Sequence, residues 1–182
     1  MRIAIPFVLS QHLGMRHVIS ILLQNEAGAL ARVADLFSSR AYNIESLNVA
    51  PTSDEMVSRL TLVTHGSDNI IDQISKQLAK LVDVINIIDM TSGDHIEREI
   101  ALFKLQIEES GLENLEALVR DFGAKILDTH EGHYTVELIG GSADIDRFMN
   151  NIGAKAEILT VVRSGAMAVA RGAPVLNPTS SL

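Results

Sequence analysis

Two short segments of the chain carry the residue types from which a small-molecule site can be assembled. The first, Asn25-Glu26-Ala27-Gly28-Ala29-Leu30, lies between an apolar β-rich run and a helical periodicity. A helix start leaves backbone N–H groups unpaired at the positive end of the helix dipole, so a carboxylate can be held there without a cationic side chain. Gly28 admits close approach to the backbone, and Ala27 and Ala29 keep the mouth of the helix open. The second segment is Asn43-Ile44-Glu45-Ser46-Leu47, at the start of a predicted strand. There the Asn43 amide can accept from a ligand ammonium group while Ile44 or Leu47 faces its side chain. Taken alone, each segment is better explained by local structure, with Asn25 as an N-cap, Gly28 as a turn residue and Asn43 as a helix-to-strand junction.

Other groupings point less well to chemistry. His130-Glu131-Gly132-His133 lacks the i, i+4 spacing of a helical zinc pair and falls in a predicted hairpin, so surface turn residues are the expectation. Gly140-Gly141-Ser142 precedes a helix but has neither the lysine nor the spacing of a phosphate-binding loop. His12, His17, His65 and His95 are scattered and form no nucleophile–base set. We therefore expect no catalytic and no metal-ligating residues. An autonomous metal enzyme using His130 and His133 remains the least favoured reading.

The elements that position the two segments are legible in the periodicity. His17 to Leu23 reads as a strand, and Leu30, Val33, Ala34 and Phe37 recur at helical spacing. Asn43 to Val49 and Val57 to Thr64 read as further strands, the first closed by Pro51-Thr52-Ser53-Asp54. Ile71, Ile74, Leu78 and Leu81 mark a second helix after Gly66-Ser67-Asp68, and Val82 to Met90 a fourth strand. The order is βαββαβ, a ferredoxin-like plan.

Thr91-Ser92-Gly93-Asp94 breaks the pattern, and the same order then repeats. A strand at Arg98 to Glu108 is followed by a helix carrying Leu112, Leu115, Leu118, Val119 and Phe122. Lys125 to Asp128 and Tyr134 to Ile139 form a hairpin about His130 to Gly132. A helix with Ile145, Phe148, Met149 and Ile152 and a strand at Glu157 to Val162 close the unit. The expected class is α+β, two tandem ferredoxin-like βαββαβ domains. Residues 1–14 are expected to be a weakly ordered extension or an upstream start before Met15. Residues 15–90 and 97–173 are the two domains, 91–96 a linker and 174–182 a tail.

Composition bounds the class of function. The 182 residues are 47% hydrophobic and only 4% aromatic, without tryptophan, so an aliphatic core suits a thin two-layer fold. A net charge of -8 without a basic stripe argues against a nucleic-acid partner. The absence of cysteine excludes disulfides and thiolate sites, and is compatible with a cytoplasmic location. No apolar run reaches the roughly 20 residues a spanning helix needs, and the Ile3 to Leu9 stretch lacks signal-peptide flanks. Each unit, at about 75 residues, buries little more than about 60% of its surface, which predicts an obligate oligomer covering the open sheet face.

Together the segments are more specific than either alone. RHVISILLQNEAGALARVADLFSSRAYNIESLNVAPT, Arg16 to Thr52, resembles the amino-terminal ACT domain of acetolactate synthase small subunits, whose blocks are N-E-x-G-A-L, R-G-Y-N-I-E-S-L and V-A-P-T. The resemblance continues through KQLAKLVDVINI (Lys76 to Ile87), EREIALFK (Glu97 to Lys104), Val162-Arg163-Ser164-Gly165 and Arg171-Gly172, and so covers nearly everything after residue 14. Ala41 stands where the family usually has glycine, which bears on the flexibility of that turn.

That resemblance implies a non-catalytic regulatory subunit, paired as a homodimer through its ACT domains and docked on a catalytic large subunit. Thiamine diphosphate, Mg and FAD would belong to the catalytic chain, with none held here. Valine, or another branched-chain amino acid, would be the effector that confers feedback inhibition. Carried onto this sequence, Asn25, Glu26, Ala27, Gly28, Ala29 and Leu30 of one protomer would hold its carboxylate. Asn43 and Ile44 of the facing protomer would contact its ammonium group and side chain, with Ala50 close by. The alternative from another class is a metal- or small-molecule-sensing regulator of a different enzyme.

Overall fold

The computed structural model describes residues 14–153, 156–172 and 176, so the expectation for the amino-terminal extension falls almost wholly outside the described residues. Nine strands and four α-helices are described: β1 Met15–Gln24, α1 Ala29–Ser39, β2 Ser46–Pro51, β3 Val57–Gly66, α2 Asp68–Leu78, β4 Val84–Asp89, β5 His95–Gln106, α3 Leu112–Phe122, β6 Lys125–His130, β7 His133–Gly140, α4 Ser142–Gly153, β8 Glu157–Arg163 and β9 Met167–Ala170. No described helix is long and apolar enough to cross a membrane.

The strands form two sheets in the orders β2-β3-β1-β4 and β6-β7-β5-β8, all neighbours antiparallel. The two orders are equivalent, and each sheet carries its two helices on one face, giving the tandem ferredoxin-like α+β arrangement. In the first unit Ile19, Ile21 and Leu23 of β1 and Leu60 and Leu62 of β3 pack under Val33 and Phe37 of α1 and Ile71, Ile74 and Leu78 of α2. In the second, Ala101, Phe103, Leu105, Val136 and Leu138 pack under Leu115, Leu118, Ile145, Phe148 and Ile152, with Phe103 and Phe148 ring centroids 5.0 Å apart.

Three details differ from the periodicity reading. Helix α1 buries Ala29, Val33 and Phe37, so Leu30 and Ala34 face outward rather than into the core. Strand β2 starts at Ser46, because the chain first passes through Ala41 at φ 57° and the Asn43 carbonyl accepts from Thr64 Oγ1 at 2.6 Å. Strand β5 starts at His95, and its first four residues pair with β9, a strand that the sequence did not announce.

That last strand changes the account of the first sheet. Val18, Val63 and Met90 on its helix-free face pack against Ala166 and Ala168, while Leu22 and Val57 pack against Leu176. Arg59 donates to the Leu176 carbonyl at 2.9 Å. The face expected to demand a partner is therefore covered, along β1 and β3, by the chain's own closing arm.

Candidate functional site

The Asn25–Leu30 turn owes its shape to the end of β1. The Asn25 backbone N–H donates to the Met56 carbonyl and its side-chain Nδ2 to the Glu55 carbonyl, both at 2.8 Å. Asn25 thus ties the turn to the β2–β3 hairpin and does not cap α1. The N-cap position is Gly28, at φ 90° and ψ -14°, and no side chain caps the helix. Only glycine adopts such a φ without cost. Glu26, Ala27 and Gly28 are exposed, as is Leu30, so α1 presents an open N-terminus at the surface. Ala29, by contrast, is buried at 3% exposure and belongs to the core rather than to the mouth.

The helix start carries a cation that sequence reasoning did not assign. Arg32, one turn into α1, donates through Nε and Nη2 to the two carboxylate oxygens of Asp83, the second contact at 2.7 Å. The Asp83 side chain is 5% exposed, and the Arg32 side chain 44%. Hydrogen bonding from Arg32 holds the Asp83 carboxyl below its ordinary range against the opposing effect of burial, and the Arg32 guanidinium is correspondingly raised. A Cβ at Gly28 would lie 2.9 Å from Arg32 Nη1, which places the guanidinium directly beside the turn. The spacing Gly28 to Arg32 was a usable signal, since helical side chains tilt toward the N-terminus and i, i+4 residues meet. Asp83 offered none, because it arrives from a distant turn. Met56 and Val82, exposed at 66% and 80%, lie beside residues that bond this turn and add apolar surface near it.

Asn43 and Ile44 stand elsewhere in the protomer, past the far end of α1 and before β2. The helix has 11 residues, a rise of about 16 Å, so the two candidate segments do not meet within one chain. Asn43 is exposed and Ile44 half-buried. Ala50 is exposed on β2, an edge strand of its sheet, opposite Arg59.

A separate cleft of about 300 Å³ lies between the units, lined by Glu45, Ser46, Leu47, Glu99, Ser142 and Arg163 among others. Its charges answer one another. Arg163 donates to both Glu99 oxygens at 2.7 and 2.8 Å and to Asp146 at 2.8 Å, and Arg16 donates to both Glu97 oxygens at 2.9 Å. Ser142 Oγ donates to Glu97 at 2.9 Å. This is the chemistry of a clamp joining β1 to β5 and α4, rather than of a vacant receptor. His130 and His133 flank a two-residue hairpin turn with Glu131 at φ 46° and Gly132 at φ 80°, as the turn expectation required. Among the described residues no group of three or more His, Asp or Glu side chains is placed to hold a metal ion.

Relatives give the chain its class. Residues 19–86 match the family model described as an AHAS small subunit-like ACT domain, which makes the first unit an ACT domain, and residues 98–172 match the model for the small subunit of acetolactate synthase. The chain is 44% identical over 162 residues to the acetolactate synthase isozyme 3 small subunit of Escherichia coli, covering 89% of this chain and 99% of the relative. It is 34% identical to the probable acetolactate synthase small subunit of Archaeoglobus fulgidus, covering 87% and 98%. The crystal structure of the acetolactate synthase small subunit from Thermotoga maritima superposes with a TM-score of 0.78 at 31% identity, covering 88% of this chain and 99% of that one. The chain belongs to the acetolactate synthase small-subunit family, whose members are regulatory rather than catalytic chains of that enzyme.

Proposed function

We propose that this chain activates an acetolactate synthase catalytic subunit and makes it sensitive to valine, within branched-chain amino acid biosynthesis in the cytoplasm. The observation that carries the reading is the start of α1 at Gly28, an exposed, glycine-shaped mouth that no side chain caps. Exposed Leu30 and half-buried Ile44 suit an aliphatic effector. Asn43 and Ile44 follow the far end of α1 from that mouth in one protomer, which supports completion of the site by a second copy paired through the first unit. Thiamine diphosphate, Mg and FAD are assigned to the catalytic partner.

For regulation to work, valine must bind the poorly active assembly more tightly than the active one, with a coupling of about 1–3 kcal/mol. Calorimetry of the full chain with and without the catalytic subunit tests this, since linkage requires the two ligands to alter each other's affinity. Identical valine affinity in both states would overturn the allosteric account. At the assigned pocket, Gly28→Asp places a carboxylate where the effector's carboxylate belongs and strains a φ of 90°. The expected outcome is loss of valine inhibition in an activity titration, and full retained sensitivity would refute the assignment.

A further inference from the structure

We infer that Arg32 is an effector-contacting residue that takes the amino acid's carboxylate at the mouth of α1; this rests on the effector reading of that turn. Arginine offers five N–H donors in a fixed plane. Asp83 takes the Nε edge, using Nε and Nη2, and no hydrogen bond is made by Nη1 among the described residues. The outer pair of donors, one on Nη1 and one on Nη2, therefore remains as a parallel fork, the shape that binds a second carboxylate in bidentate fashion.

Position and exposure agree with that assignment. Nη1 lies 2.9 Å from where a Gly28 Cβ would stand, so the free end of the fork is at the exposed turn that opens α1 without a side-chain cap. The Asp83 side chain is 5% exposed and the Arg32 side chain 44%, so the inner edge is buried and immobilised while the outer edge stays reachable. An arginine already held on one side loses less rotamer freedom when it binds on the other. Gly28 then has two reasons to be glycine, its φ of 90° and the guanidinium that fills its side-chain space. The Glu26 carboxylate lies within electrostatic range of Arg32, so both signs of charge stand at this mouth, as a zwitterionic amino acid requires.

The test compares valine with valinamide, which keeps the ammonium group and side chain but lacks the carboxylate. Calorimetry is run on the full chain and on Arg32→Gln and Arg32→Lys, each with a thermal melt to confirm folding. Wild type is expected to prefer valine. Arg32→Gln should lose valine affinity by about tenfold or more, with the valine-to-valinamide ratio falling by a similar factor, as removal of a charge-assisted contact implies. Arg32→Lys should recover part of the ratio. An arginine that merely braced α1 against Asp83 would weaken both ligands alike, and an unchanged ratio in a folded Arg32→Gln overturns the inference while leaving the effector site standing. Should Arg32→Gln fail to fold, the ratio for Arg32→Lys decides: a value equal to wild type overturns it. Absence of valine binding to wild type would sink the effector reading itself.

Discussion

Ala41 sits at φ 57°, in the left-handed region where an L side chain crowds its own backbone. Ala41→Gly is expected to stabilise the fold by about 0.5–1 kcal/mol, the relief of that crowding exceeding the entropy glycine adds to the unfolded chain, and urea unfolding would measure it. A shift in the opposite direction would mean that the turn is held by contacts beyond its dihedral. At this scale the sequence was partly informative. Gly28 was legible as a turn residue, since glycine reaches its φ of 90° without cost, whereas Asn25 was not: its amide serves Glu55, in a hairpin 30 positions away, and no local pattern encodes that choice. Arg32 was legible in part, because its spacing from Gly28 sets it beside the turn, whereas its hold on Asp83 exists only in the completed fold.

Elements fared better than residues where they were long and periodic. Helices α2, α3 and α4 bury the apolar positions their spacing announced, among them Ile74, Leu115 and Ile145. Strand β9 escaped because Met167-Ala168-Val169-Ala170 has too few residues for a period to register, and its pairing exists only because β5 extends back to His95. The contact between β1 and β5 carries a pH prediction. Burial acts to raise the Glu97 carboxyl, but hydrogen bonds and charge from Arg16, with help from Ser142, outweigh it and leave Glu97 below its ordinary value of 4.5. Because the folded state holds this acid ionised, its stabilising contribution is present in full above 4.5 and is lost as pH falls below that. Glu97→Gln should lower stability at neutral pH by about 1 kcal/mol, a modest value because Arg16 is partly exposed, and should flatten the loss of melting temperature on acidification. An unaltered acid profile would assign the sensitivity to other carboxylates, such as Asp83 or Asp144, which are also lowered by their arginine partners.

For the whole molecule, the arm from Ser164 to Gly172 matters most, because Ala166 is 1% exposed and closes the apolar patch of Val18, Val63 and Met90. Ala166→Asp would bury an unpaired carboxylate there and should cost about 3 kcal/mol or more, with dye binding to exposed apolar surface as a second readout. A melting curve like that of wild type would show the arm to be dispensable. The arm also constrains how the polypeptide reaches this state. The sheet of the first unit is made early in translation, yet Ala166, Ala168 and Leu176, which finish its outer layer, are made long after Val18 and Leu22. Joining segments so distant in sequence is entropically slow, so the early module waits with Val18, Leu22 and Val63 uncovered until that arm has been made. Nascent chains stalled before residue 166 should therefore be the species that chaperones hold and proteases cut, and emergence of Ala166, Ala168 and Leu176 should be the moment both lose their grip.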